Sequence, residues 1–464
     1  MSLTGPWFFV LLLAVTAMAF VALIVAWARW AGPGRSAAAT RVALLAGVNA
    51  LVLLTAAVGL NNQYLFYADW TDVGGAVGLT ENPAPGRAHI GGDARAAAAD
   101  RFTTRGLTAN LPSLPPQIAP GARLARFRVP GRISGIQADV VVFLPTGYTE
   151  PAQSRRRYPV VEGFPGYPGG PLNPSQGVAA AVTAHRLADP IILAPVIQVP
   201  TGRDTECVNG SPADPQVETW LTRDLPDWAA HTLRVRTDRA SWATVGWSVG
   251  GWCAAMAAML HPDQYGAAIV LGGYFQPLFG QGYRPFGPNS AQGRRYDLVS
   301  LAAGHPPAVA LWVQTSRADP LSYPSSSQLL ARARAPLSIQ SLVLADAGHR
   351  ISVWKPLLSQ AFAWLGSTVP GFAPDPAGAP GGGSSTQAGS GTGGPDSPLD
   401  RARRTGRSGS GAPGMPGTPG APGAPGLPGG PPQRGRLPSP HPSVQGPGPS
   451  PATGSTAGVT APLR

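Results

Sequence analysis

Ser241-Trp242-Ala243-Thr244-Val245-Gly246-Trp247-Ser248-Val249-Gly250-Gly251-Trp252-Cys253-Ala254-Ala255-Met256-Ala257-Ala258-Met259-Leu260 is the stretch that decides the fold. A short apolar run leads in, and an Ala/Met-rich run of high helix propensity leads out. Between them lies G-x-S-x-G, the pattern of a serine held on a sharp strand-to-helix turn. A side chain at Gly246 or Gly250 would collide with the neighbouring strand or helix across so tight a turn. The pattern alone is weak in a chain with 60 glycines. Its strand-turn-helix context makes Ser248 a candidate nucleophile, against the alternative of a solvent-facing serine in a glycine-rich turn.

Working outward, apolar runs recur on both sides of this turn. Leu124 to Val129, Ile136 to Leu144, Tyr158 to Val161 and Ile191 to Ile197 precede it. Ala267 to Leu271, Val309 to Gln314 and Leu342 to Leu344 follow. Helix-like segments lie between them, at Val178 to Leu187, Leu221 to Thr232, Ser325 to Ala333 and Lys355 to Leu365. Continuous apolar strands alternating with helices predict an α/β domain with a mostly parallel sheet covered on both faces. Residues 118–368 suit one such domain.

The flanking regions read differently. Trp7 to Trp27 is apolar, has no Lys or Arg before it, and exceeds a signal-peptide core. Its length matches the roughly 20 residues that cross a bilayer. A second apolar run covers 42–60, and Arg29, Arg35 and Arg41 lie in the link between the two. The positive-inside rule puts that link in the cytoplasm. Residues 1–68 are therefore expected to form a transmembrane hairpin with both ends outside, anchored in the lipid bilayer. Tyr64, Phe66, Tyr67 and Trp70 suit the outer interface. Everything beyond is then extracytoplasmic, with 69–117 read as a linker.

Residues 369–464 are Pro, Gly, Ser, Thr and Ala with scattered Arg, which cannot bury a core. Seven consecutive Gly-x-Pro triplets run from Gly411 to Pro431. The run is short for a collagen helix, so a disordered tail in contact with the cell wall is expected. The net charge of +12 comes almost wholly from arginine, Lys355 being the only lysine. No basic stripe with interleaved aromatics is present, so nucleic acid is not an expected partner. No ligand cluster suggests a metal or another cofactor.

A serine hydroxyl becomes an effective nucleophile when a histidine takes its proton and an acid orients that histidine. In enzymes whose serine sits on a G-x-S-x-G elbow, the partners follow in the order Ser, Asp or Glu, His. Of seven histidines, His89 and His441 lie outside the domain, His185 and His231 precede Ser248, His261 ends the helix after it, and His305 precedes a late strand. His349 remains, in Ala345-Asp346-Ala347-Gly348-His349-Arg350, a loop at the carboxyl end of a strand. Asp319, in the loop after the preceding strand, is the expected acid, with Asp346 as its rival. Two backbone amides must bind the oxyanion. Val249 is the first candidate, and Phe164 is the second, because Pro165 has no N–H to offer.

Over residues 120–366 the chain resembles the esterase D-type branch of the α/β-hydrolases, which includes bacterial mycolyltransferases and ferric-siderophore esterases. The resemblance is carried by Gly246-Trp247-Ser248-Val249-Gly250-Gly251, by Thr219-Trp220-Leu221-Thr222-Arg223-Asp224-Leu225-Pro226, and by Gly348-His349 with Val353-Trp354. It implies acyl-ester chemistry with Ser248 as nucleophile, His349 as base and Asp319 as orienter. Many relatives carry His-Gly or Asp-Gly where this chain has Glu162-Gly163. The expected function is an extracytoplasmic serine esterase of the cell membrane acting on an acyl ester or glycolipid. An envelope acyltransferase and a non-catalytic surface protein on a hydrolase scaffold are the alternatives. The Gly272 to Tyr296 segment is the expected lid and acyl pocket. Cys207 and Cys253 are expected to form a disulfide bracing the elbow helix, the alternative being two unpaired thiols.

Overall fold

The computed structural model describes residues 3–27, 29, 34–64, 66–78, 86–99, 111–200, 202–280 and 282–374. Residues 375–464, including all the Gly-x-Pro triplets, lie outside them.

Helices α1 (Pro6–Trp27) and α2 (Arg35–Tyr64) pack as an antiparallel pair. Both are long and apolar enough to cross a membrane. The Thr16 and Thr55 hydroxyls meet at 2.8 Å between them. Each hydroxyl also lies 2.8 Å from the carbonyl four residues earlier, Leu12 and Leu51, the usual partner for a hydroxyl in an apolar helix. Helix α2 outruns the apolar stretch 42–60 at both ends, because its flanking Ala, Arg and Gln residues propagate a helix well.

After α3 (Trp70–Ala76), the stretch expected as a linker instead adds β1 (Gly86–Gly91) and α4 (Ala94–Ala98) to the folded domain. Eight further strands follow: β2 (Leu124–Pro130), β3 (Gln137–Phe143), β4 (Val160–Phe164), β5 (Ile191–Pro195), β6 (Trp242–Trp247), β7 (Ala267–Leu271), β8 (Ala310–Ser316) and β9 (Ser338–Leu344). Between and after them run α5 (Ser175–Thr183), α6 (Val217–Thr219), α7 (Leu225–Thr232), α8 (Val249–Leu260), α9 (Ala291–Arg295), α10 (Leu298–Gly304), α11 (Tyr323–Arg332), α12 (Ile351–Trp354) and α13 (Leu358–Thr368).

Among the described residues, nine strands form one sheet in the order β1-β9-β8-β7-β6-β4-β5-β3-β2. From β5 to β9 every pairing is parallel. The antiparallel strands β2 and β3 close one side, and β1 closes the other by pairing antiparallel with β9, Gly86 opposite Val343. An unpaired β9 would present a row of open backbone groups, which β1 satisfies.

Strands β4 to β8 are buried along almost their whole length, whereas β2 alternates exposed and buried residues. That contrast separates a strand covered on both faces from an edge strand. One core layer holds Trp220, Trp252 and Tyr296, and the opposite layer holds Trp312, Leu358 and Phe362. Burial continues past residue 368 to Phe372, whose carbonyl accepts from the Ala188 amide at 2.9 Å.

Candidate active site

Ser248 sits between the end of β6 and the first residue of α8, with φ 57° and ψ −127°. A non-glycine residue with positive φ is held there only by its surroundings. Gly246 and Gly250 make the turn sterically feasible. A Cβ on Gly246 would overlap the Gly250 carbonyl, and one on Gly250 would overlap the Phe164 and Pro165 carbonyls. The end of β4 therefore passes directly against the start of α8.

The strained turn aims the serine at His349, whose Nε2 lies 2.8 Å from Ser248 Oγ. The other ring nitrogen, Nδ1, is 2.8 Å from Asp319 Oδ2. Both partners are nearly inaccessible, Asp319 at 2% and His349 at 8% exposure. Burial by itself raises the Asp319 carboxyl, but the hydrogen bond from His349 opposes it, helped by the Ser322 hydroxyl and the Leu321 amide. The net direction is below the ordinary carboxylate range, so Asp319 is ionised and Nδ1 carries the proton. Nε2 is then free to accept from the serine hydroxyl. Asp346 has no share in this arrangement.

Neighbouring groups fix the two loops. Ser316 Oγ accepts from the Ala347 amide at 2.9 Å, tying the end of β8 to the histidine loop. The Trp354 ring meets His349 edge-on at 4.8 Å and stacks on Trp247 at 6.4 Å. Val249 is the first helical residue of α8, so its amide has no intrahelical acceptor. Phe164 ends β4 in register with Gly246, fully buried. Glu162 is also fully buried, and the Tyr265 hydroxyl donates to it at 3.1 Å, so its side chain belongs to the core.

A cavity of about 690 Å³ opens over the serine. Its walls come from the loop after β4, from residues around His349 and from Phe66. The 272–296 segment, expected to form the lid, builds a different cavity of about 530 Å³ that touches none of Ser248, Asp319 and His349. There Phe279, Phe286 and Tyr296 pack on one another, which commits their rings away from the serine. Phe66 carried only an interfacial signal in the sequence, and nothing local connects it to a serine far along the chain.

Cys207 and Cys253 are joined in a disulfide with Cα atoms 5.7 Å apart. The Trp252 indole donates to the Glu206 carbonyl at 2.8 Å, and Tyr274 donates to the Glu206 carboxyl at 2.7 Å. Burial, with the charge of Asp204 second, pushes that carboxyl well above the ordinary range. These contacts clamp the 204–207 loop to the first turn of α8. The Thr222-Arg223-Asp224 block is structural: Asp224 accepts from the Ile133 and Ser134 amides, both at 2.9 Å.

The family model described as "Putative esterase" matches residues 134–365, half of the chain. An uncharacterized protein of Corynebacterium glutamicum is 30% identical over 154 residues, covering 32% of this chain and 35% of that protein. The MPT51 antigen of Mycobacterium leprae is 40% identical over 62 residues, 13% of this chain and 20% of the antigen. The matched stretches thus span about a third and a fifth of these two relatives. Among solved structures, an S-formylglutathione hydrolase from Agrobacterium tumefaciens aligns with TM-score 0.43 at 14% identity, over 54% of this chain and 97% of that one. With the family model matched across half its length, the chain belongs to this esterase family.

Proposed function

We propose that Ser248, His349 and Asp319 form the catalytic triad of an extracytoplasmic esterase or acyltransferase anchored by α1 and α2. The observation that carries this reading is the unbroken chain Ser248 Oγ to His349 Nε2 to Asp319, with 2.8 Å at each end of the ring. His349 takes the Ser248 proton as Oγ attacks the ester carbonyl, and Asp319 stabilises the imidazolium. The carbonyl electron pair moves to the oxygen, where the Val249 and Phe164 amides are assigned to bind it. As the intermediate collapses, the alcohol leaves with the proton from His349 Nε2, and the acyl group stays on Ser248. Water or an acceptor hydroxyl then gives its proton to His349 and takes the acyl group, and His349 returns that proton to the departing Ser248 Oγ. Hydrolysis and transfer differ only in that second nucleophile.

The placement of the domain rests on the hairpin. Arg29, Arg35 and Arg41 cluster around the α1–α2 link, which favours a cytoplasmic link and an outer catalytic domain. Residues 1–68 are then the anchor, and the folded domain begins with α3 and β1.

A fluorophosphonate probe tests the nucleophile. The expected result is one adduct per chain, on the Ser248 peptide, absent in Ser248→Ala. An unlabelled native protein would favour a non-catalytic scaffold.

A further inference from the structure

The segment immediately after α2 is built into the active site. Asn61, in the last turn of α2, bonds the backbone of Tyr67 twice: its Nδ2 donates to the Tyr67 carbonyl at 3.0 Å, and its Oδ1 accepts from the Tyr67 amide at 2.8 Å. Asn61 also begins the polar end of that helix, Asn61-Asn62-Gln63, so Tyr67 lies at the level where the apolar span stops. Trp70 meets Phe8, at the same end of α1, edge-on at 5.6 Å.

From this level the contacts run straight to the catalytic histidine. Asp72, 2% exposed, accepts from the Gly348 amide at 2.8 Å and from Arg350 Nη2 at 2.7 Å. Arg350 Nη1 donates to the Phe66 carbonyl at 2.8 Å, and its guanidinium lies 4.5 Å from the centre of the Tyr67 ring. A Cβ on Gly348 would overlap the Phe66 carbonyl. The residues on both sides of His349 are therefore fixed to a strap that emerges from the apolar hairpin. Phe66 also lines the cavity over Ser248, and Phe66, Tyr167 and Ile351 on its walls are 41%, 48% and 52% exposed. Exposed apolar residues around a mouth held at the end of a membrane span suit an alkyl chain better than water.

We propose that the active site takes its ester laterally from the leaflet it adjoins, across the wall formed by Phe66. The substrate class is an amphiphile whose acyl chain stays in the bilayer while its ester reaches Ser248. This rests on the reading that α1 and α2 span the membrane and that Ser248 is the nucleophile.

The test uses the full chain reconstituted in phosphatidylcholine vesicles, with 4-methylumbelliferyl palmitate either in the same vesicles or in protein-free ones. Soluble 4-methylumbelliferyl butyrate is assayed in parallel. Confinement of enzyme and ester to one leaflet should make the same-vesicle palmitate rate at least about tenfold the separate-vesicle rate. Phe66→Arg should lower the palmitate-to-butyrate ratio by about tenfold, the worth of one lost aromatic contact. Equal rates from both vesicle populations would overturn the proposal, as would butyrate turnover without palmitate turnover. If neither ester is cleaved, or cleavage persists in Ser248→Ala, the nucleophile assignment itself fails. Release of the protein from the vesicles by alkaline carbonate would instead overturn the anchoring reading.

Discussion

Helix α8 has an acid–histidine pair at each end. At its start, Asp319 and His349 stand 2.8 Å apart with Ser248 2.8 Å beyond. At its close, Glu218 and His261 stand 2.7 Å apart, with the Thr222 hydroxyl 3.3 Å from the same ring nitrogen. By residue type both are acid–histidine–hydroxyl sets, yet Ser248 and His349 of the first line the cavity of about 690 Å³, whereas Thr222 of the second is enclosed. Thr222 is fully buried within a helical turn and gives its proton to the Glu218 carbonyl at 2.8 Å. His261 uses Nε2 on Glu218, and its Nδ1 faces Arg223 at 3.5 Å. Glu218 is further held by Arg295 and Tyr296. Burial raises this carboxyl, but His261, Arg295 and Tyr296 together pull it down to about 2. An acid–histidine pair becomes a general base only where the second ring nitrogen meets a nucleophile that a substrate can reach.

The comparison can be broken from either end. Asp319→Asn should keep the fold and lower turnover on the order of 10⁴-fold, because the amide favours the wrong histidine tautomer. An effect below tenfold would remove Asp319 from the triad. Glu218→Gln should do the reverse, lowering unfolding free energy by about 3 kcal/mol, since it disrupts a buried ionic cluster. Turnover per folded molecule should stay within about threefold of the native value. A denaturant titration paired with an active-site titration separates the two effects.

The Glu218 carboxyl also predicts a pH dependence. Its folded value of about 2 lies below the ordinary 4.5, so its stabilisation is complete above 4.5 and is lost as pH falls from there toward 2. Glu218→Gln should flatten that acid limb of the stability curve. A smaller effect is expected from the strap. Asp72→Asn should lower kcat per folded molecule by up to about 10²-fold, since a shift of the His349 loop by about 1 Å misaligns Nε2, together with a fall in melting temperature from the broken buried pair with Arg350. A fall in melting temperature without a fall in kcat would make Asp72 purely structural.

How much of this was legible in the sequence follows from where each signal lies. The central strands were readable because strands covered on both faces are continuously apolar, as Ile191 to Ile197 and Ala267 to Leu271 are. His349 stood out by chain order and by its loop after the last strand. The edge strand β1 was not readable: Gly86-Arg87-Ala88-His89-Ile90-Gly91 is mostly exposed, and its pairing is imposed by β9. The Glu218–His261 pair was missed because its members lie 43 residues apart, with no spacing rule to join them. Asp72 and Gly348 are separated by 276 residues, so no local pattern could place the strap against the His349 loop. The second cavity shows the same limit, since the aromatic residues of the 272–296 segment read equally well as a lid or as packing.

Rapid mixing with a short-chain p-nitrophenyl ester, followed by quenching and peptide mass analysis, tests the central claim most directly. The account predicts a burst of about one p-nitrophenolate per chain, with the acyl group on Ser248 and no burst in Ser248→Ala. An acyl group on another residue, or a burst that survives Ser248→Ala, would contradict it.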